Sequence, residues 1–254
     1  MAVKTIIIGA GVAGLVAAIA LRRAGHDVLI LERSAFGSEV GAAINLSPNA
    51  LFVLSRLDFD LKRARACRIR STHLFREVDL TVRRSVPSRE PGNQTVHRVD
   101  LHRELLRLAT SAGADLRLGC AVHKISDDGM GVVLESGDEV RADLVVAADG
   151  VHSVARQFVL PGEDTSSKAV HSGLAAFRFL VETEKFRADE ELRPLLDTTN
   201  GSINVIEDED STAATDPSQV RQIVWYECRE YVVTILLVSS DPLLTLRQVE
   251  SCKM

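Results

Sequence analysis

Cysteine is scarce in this sequence. Its 254 residues hold four cysteines, Cys67, Cys120, Cys228 and Cys252, scattered without a C-x-x-C and without paired Cys/His motifs at zinc-ligand spacing. That argues against a zinc site and a disulfide framework, and reduced, intracellular thiols are the default reading, with a cytoplasmic location expected. Excess positive charge is missing too. Lys and Arg number 30 against 35 Asp and Glu, a formal net charge of −5, so no basic field recommends nucleic acid or an anionic membrane as a partner. Only 7 prolines, 46% hydrophobic and 26% charged residues make an ordinary globular composition, neither disordered nor collagenous. The length suits one or two domains. There are no repeats and no low-complexity segments. The acidic run Glu207-Asp208-Glu209-Asp210 has no metal-ligand spacing and reads as a solvated loop.

The N-terminal apolar stretch, Thr5 to Leu21, superficially resembles a signal peptide or a short membrane span. Its internal pattern argues otherwise. A β-branched run, Val3 to Ile8, gives way to Gly9, Gly11 and Gly14, then to the Ala/Leu-rich helix former Leu15 to Arg23. Gly9-Ala-Gly11-Val-Ala-Gly14 is a G-x-G-x-x-G in its proper setting: strand Lys4–Ile8 before it, a helix from about Val12 to Ala24 after it. A second strand, Asp27 to Leu31, ends in Glu32, about twenty residues on. In such a unit Gly9 makes the tight turn, Gly11 lets the backbone approach a pyrophosphate, and Gly14 lets the helix pack close to the strand. The free N–H groups and dipole at the helix start attract the anion, and Glu32 can accept bonds from a ribose diol. Gly25, just after Arg22-Arg23-Ala24, is a helix stop. The glycines alone do not separate FAD from NAD, since both carry an ADP half.

Beyond Glu32 a small-residue loop leads to a Pro-started helix over about Pro48–Leu57, in which Leu51, Leu54 and Leu57 follow a helical period and read as core. Alternation from Arg68 to Pro87 predicts antiparallel strands. Asp100 reads as the N-cap of a helix from Leu101 to about Ser111, closed by Gly113. Short strands follow over 116–118, 122–125 and 132–134. Leu144 to Ala148 is the kind of apolar run found inside a parallel sheet. It is broken by Asp149-Gly150, and an Asp at the carboxyl end of such a strand lies where doubly wound sheets bind ligands. From about His171 the pattern becomes long antiparallel strands, Ala175–Val181 and Gln222–Cys228, and Tyr231–Val238 could pair as another.

These pieces together resemble the first part of a group A FAD-dependent monooxygenase of the salicylate hydroxylase-like, fungal type. Ile6–Gly14 with Glu32 is similar to that family's ADP-binding unit, Leu144–Arg156 to its Asp-Gly motif, and Val96-His-Arg98-Val-Asp-Leu-His-Arg to the segment whose Arg lies against the flavin. Glu39-Val-Gly41-Ala-Ala43-Ile-Asn-Leu-Ser-Pro-Asn resembles a further cofactor-contacting loop. The resemblance implies an α/β fold: a Rossmann-like FAD-binding βαβ unit with an inserted antiparallel-sheet substrate domain. It divides the chain into FAD-binding segments 1–70 and 96–165, substrate-domain strands 71–95, and a partial substrate domain with a divergent tail, 166–254. Implied cofactor contacts are Gly9, Gly11, Gly14, Glu32, Arg33, Gly41, Ala43, Arg98, Asp149 and Gly150. The implied activity is hydroxylation of an aromatic or phenolic small molecule with NADPH or NADH and O2, in secondary metabolism or aromatic catabolism. Arg178 could hold a phenolate or carboxylate and Tyr226 hydrogen-bond the substrate, although both can also be plain sheet-face residues. The resemblance further implies a Gly-Asp signature followed by Ala-Ala-His, which is not in this sequence, and residues 230–254 match nothing expected of it. The expectation is therefore a FAD domain incomplete at its C-terminus, about the first half to two-thirds of a hydroxylase. A non-catalytic nucleotide-binding chain is the alternative. A plain NAD-dependent dehydrogenase is a third reading, against which stand the Asp-Gly segment and the lack of an evident Ser/Tyr/Lys or Cys/His set.

Overall fold

The structure, a computed structural model, describes residues 1–35, 41–89, 92–160, 175–199, 201–207, 221–229 and 232–239. In chain order the elements are β1 (Lys4–Ile8), α1 (Val12–Arg23), β2 (Asp27–Leu31), β3 (Ala43–Leu46), α2 (Pro48–Arg56), β4 (Cys67–Arg68), β5 (Ser71–Phe75), β6 (Val82–Pro87) and β7 (Gln94–His97). There follow α3 (Arg98–Ser111), β8 (Asp115–Arg117), β9 (Val122–Ile125), β10 (Gly131–Leu134), β11 (Glu139–Arg141), β12 (Leu144–Ala147) and the short α4 (Arg156–Val159). The last are β13 (Ala175–Glu182), α5 (Thr183–Ala188), α6 (Arg193–Thr199), β14 (Ser202–Glu207), β15 (Arg221–Arg229) and β16 (Val232–Ser239). Two compact units result: Met1–Val40 with Val53–Asp60 and Val99–Val170, and Gly41–Phe52 with Leu61–Arg98 and His171–Met254. The units cut the chain at other points than the blocks 1–70, 71–95, 96–165 and 166–254, because 41–52 and 61–70 pack with the later strands.

The first unit is built on a four-stranded parallel sheet in the order β12-β1-β2-β8. β1 runs in register with β2 from Lys4↔Asp27 to Ile8↔Leu31, and with β12 from Thr5↔Leu144 to Ile8↔Ala147. The apolar residues of β1 and β2 make its centre: Ile6, Ile7, Ile30 and Leu31 are at most 1% exposed, and Leu15 and Ile19 of α1 are fully buried. Burying aliphatic side chains of this size contributes about 1.5–3 kcal/mol each, which is why an isoleucine run precedes the glycine turn. A second cluster joins Ile6, Ile8 and Leu31 to Val122, Ile125 and Val132 of the β9–β10–β11 meander. Glycines with positive φ stop both long helices, Gly25 (φ 85°) after α1 and Gly113 (φ 88°) after α3.

Two local expectations change. α3 begins at Arg98, three residues before the predicted start, so Asp100 lies in its first turn and is 6% exposed rather than capping it. The strand β7 runs directly into the helix, with the Arg98 amide donating to the Ala42 carbonyl at 3.0 Å. β12, read as an interior strand, is at the edge of the parallel sheet among the described residues, and its Leu144 is 43% exposed.

The second unit carries a six-stranded sheet, order β13-β16-β15-β14-β5-β6, and a three-stranded one, β3-β7-β4. Long strands β13 and β15 form where the alternation predicts them, but β16 is inserted between them, antiparallel to both. β5 and β14 pair in parallel, the exception in an otherwise antiparallel sheet. On one face Phe75, Trp225, Phe186 of α5 and Leu196 of α6 form a buried cluster, the Phe75 and Trp225 rings 5.0 Å apart.

Helix α1 sits close to β1 because residue 14 has no side chain. A Cβ there would collide with the Gly9 carbonyl oxygen and meet Ile7 Cγ2 at 3.3 Å. Gly14→Ala is expected to cost about 1–3 kcal/mol and lower the melting temperature by several degrees, read by differential scanning calorimetry.

Candidate functional site

In the first unit three loops converge at the carboxyl ends of neighbouring parallel strands: Gly9–Gly11 after β1, Glu32–Ser34 after β2, and Ala148–Gly150 after β12. This is the edge of a doubly wound sheet at which ligands bind. The first and last loops touch. A Cβ on Gly9 would lie 2.7 Å from the Ala148 carbonyl oxygen and 3.3 Å from Asp149 Cα, and Gly9 also has φ 97°. Both facts demand glycine. Gly11 differs: its φ is −69°, and a Cβ there would meet nothing within 4 Å. The space beside it is open, as a close-approaching ligand requires.

Gly11 caps α1 with no side-chain hydrogen bond, and Gly11, Val12 and Ala13 are exposed. The first turn of a helix has amide N–H groups that the helix itself cannot satisfy, and with the helix dipole they form an anion-receiving end. Glu32 lies at the adjoining strand end. Its Oε2 accepts from the Ala10 amide at 2.7 Å and its Oε1 from the Ser34 amide at 2.8 Å. The strand end itself is fixed by the Glu32 amide, which donates to the Arg117 carbonyl, and by the Glu32 carbonyl, which accepts from the Cys120 amide, both at 2.9 Å. Arg33, next in the chain, is exposed.

Asp149 organises the third loop. Its Oδ2 accepts from the Val154 amide at 2.7 Å and the Ala155 amide at 3.4 Å, so the carboxylate closes the turn over Gly150–His152. Gly150 has φ 75°, which favours glycine at that position. One contact has no counterpart among the residues singled out from the sequence. His102 of α3, 9% exposed, lies with Nε2 2.8 Å from the Ala10 carbonyl oxygen. Its signal in the sequence was position alone: it stands one helical turn after Arg98 in the V-H-R-V-D-L-H segment.

The remaining expected residues belong to the second unit. Ala43 starts β3, is 5% exposed and pairs with His97, the residue before Arg98; Gly41 lies just before β3. Residues 36–40 of the loop before it, Glu39 and Val40 included, lie outside the described residues. Arg178 and Tyr226 both reach across β16: Arg178 pairs with Leu236 and Tyr226 with Thr234. Leu236 and Thr234 are two apart on one strand, so Arg178 and Tyr226 lie on the same face of the sheet. That is the face opposite Trp225. Arg178 is exposed and Tyr226 half-buried, its phenol donating to the Ala43 carbonyl at 3.3 Å. Burial pushes the Tyr226 pKa up, the nearby Cys228 adds to this, and the Arg178 guanidinium draws it part of the way back. The phenol therefore stays a neutral donor through the physiological range.

Sequence comparison places this geometry. Residues 2–230 match the family described as FAD binding domain. The chain belongs to that family. It is 34% identical to hispidin-3-hydroxylase of Neonothopanus nambi over 94% of this chain and 58% of that protein. To FAD-dependent monooxygenase ntnJ of a Nectria species it is 30% identical, over 94% of this chain and 54% of that protein. Among solved structures, CtdE, determined in complex with FAD and a substrate, superposes with a TM-score of 0.77 at 23% identity, over 94% of this chain and 57% of that one. That likeness shows the fold: a Rossmann-like FAD-binding unit with an antiparallel-sheet unit. The chain thus spans a little over half the length of these two relatives, the second of which is named an FAD-dependent monooxygenase.

Gly9 and Gly11 make a matched test. Gly9→Ala is expected to cost about 2–4 kcal/mol, since it meets both a positive φ and the Ala148 carbonyl. Gly11→Ala is expected to change the melting temperature by no more than about 2 °C, yet weaken FAD binding at least about tenfold by filling the open approach. Calorimetry for stability and titration with FAD for affinity separate the two.

Proposed function

We propose that the chain binds FAD through the first unit and contributes to hydroxylation of an aromatic or phenolic small molecule with NAD(P)H and O2. The observation that carries this is the meeting of the G-x-G-x-x-G turn with the Asp-Gly loop, Gly9 against Ala148, beside Glu32. The residues fit the ADP half of the cofactor: the exposed amides at the start of α1 suit the pyrophosphate, and the open space at Gly11 admits it. The Glu32 carboxylate has acceptor capacity left for a ribose hydroxyl. Bound FAD would supply the redox and oxygen chemistry, and the protein positioning and exclusion of water.

In this reading Asp149 and Gly150 shape the loop next to the cofactor, and Arg33 follows Glu32 at the adjoining strand end. Arg178 and Tyr226 serve the substrate. A guanidinium on an exposed sheet face suits a carboxylate or phenolate, and the neutral Tyr226 phenol, whose proton goes to the Ala43 carbonyl, keeps an oxygen lone pair to accept a hydrogen bond from the substrate. The relatives' names support the reaction class, since one is a hydroxylase and another a monooxygenase by name.

Purified protein is expected to take up FAD and show flavin absorbance in the visible range after unbound cofactor is removed. Absence of bound flavin after incubation with excess FAD overturns the proposal. Bound flavin with no aromatic-stimulated oxidation of NAD(P)H supports the nucleotide-binding reading without catalysis. Where stimulation by an aromatic carboxylate is seen, Arg178→Ala is expected to raise its KM about tenfold, with little change in kcat.

A further inference from the structure

Both backbone groups of Ala10, one from each of its two peptides, are held. The Ala10 N–H donates to Glu32 Oε2 at 2.7 Å, and its carbonyl oxygen lies 2.8 Å from His102 Nε2. A carbonyl oxygen only accepts, so His102 Nε2 carries the proton and donates. Ala10 is 1% exposed and His102 9% exposed, so neither end exchanges its partner for bulk water. The residue so held is the second of the G-x-G-x-x-G, between the left-handed Gly9 and the open Gly11.

We infer that His102 is a positioning residue for the cofactor's pyrophosphate: by holding the Ala10 carbonyl it sets the glycine turn in the shape that leaves the first amides of α1 facing outward. The physical reason is geometric. Rotating the Ala10–Gly11 peptide would swing its N–H, the first of the anion-receiving amides, away from the ligand side. His102 forbids that rotation by occupying the carbonyl, while the Ala148 carbonyl packed on Gly9 blocks movement of the preceding residue. The donor comes from α3, the helix opened by Arg98, 92 positions along the chain from Ala10. The loop's shape is therefore imposed by a distant element and not by its glycines alone. This inference rests on the FAD-binding reading for its ligand, but not for the clamp itself.

Two variants of similar polarity and different reach test it. His102→Gln keeps an N–H near the position of Nε2, whereas His102→Asn is too short to reach Ala10. The probes are FAD and ADP, titrated into the full chain, with amide hydrogen exchange of segment 9–14 in the ligand-free protein as the second readout. His102→Asn is expected to bind ADP about tenfold more weakly than the unaltered chain and to exchange the segment's amides faster. His102→Gln is expected to stay within about threefold of the unaltered chain in affinity. A structural role alone would lower the melting temperature of both variants without ordering them by reach. Equal affinity and equal exchange for His102→Asn and the unaltered chain overturns the inference, as does equal loss in both variants. If the unaltered chain binds neither FAD nor ADP, the FAD-binding reading falls, and hydrogen exchange still decides whether His102 holds the loop. If His102→Asn does not fold, the inference stands or falls on whether His102→Gln keeps both affinity and exchange at the unaltered level.

Discussion

At the carboxyl ends of β1 and β12 two stretches of main chain lie nearly in van der Waals overlap, with room for a hydrogen at residue 9 and for nothing larger. Much else is a consequence of that closeness. The parallel pairing that runs to Ile8↔Ala147 delivers the two strand ends side by side, and the left-handed turn at Gly9 folds the chain back at once into α1. Gly14, five residues on, has to present no side chain to the Gly9 carbonyl, so helix, turn and neighbouring strand are fixed by two hydrogen-sized gaps. The amides at the start of α1 are thereby delivered beside Glu32 and the Asp149 loop without any of the three needing to move. A closely packed interior has few alternative arrangements, which makes this turn rigid as well as open on its ligand side.

The parts of this site that could be read in the sequence are those where sterics leave a single choice of residue. Gly9, Gly150, Gly25 and Gly113 occupy left-handed positions, and a motif made of such glycines reports backbone shape directly. Glu32 was legible through its distance from them. His102 was not, since a histidine on an amphipathic helix is one polar residue among several, and only the folded chain brings it to Ala10. The start of α3 was misplaced for a related reason. Asp100 has the propensity of a cap, but the Arg98 amide already has the Ala42 carbonyl, and that partner lies far away in sequence. Strand order failed in the same manner. Nothing in the alternation of β13, β15 and β16 says that the last strand lies between the other two, or that β5 meets β14 in parallel. Periodicity names strands; long-range pairing arranges them.

The larger sheet of the second unit presents different residues on its two faces. Trp225 points to the side closed by α5 and α6, where it packs with Phe75, Phe186 and Leu196. Its neighbour Tyr226 points to the other, with Arg178. Consecutive residues of one strand thus face opposite sides of the sheet, as the two-residue repeat of a β-strand obliges. The bond from the Tyr226 phenol to the Ala43 carbonyl adds a tie between the large sheet and β3 of the small one.

The two amides held by Glu32 bear on affinity rather than on shape. A glutamate side chain free to sample its rotamers loses that freedom when a ligand arrives, a cost of about 0.5–1.5 kcal/mol for a flexible side chain at a binding surface. Here the Ala10 and Ser34 amides already fix both oxygens of the carboxylate. Folding has met that entropic cost in advance, so under the proposed reading a sugar hydroxyl would meet at Glu32 an acceptor already immobilised.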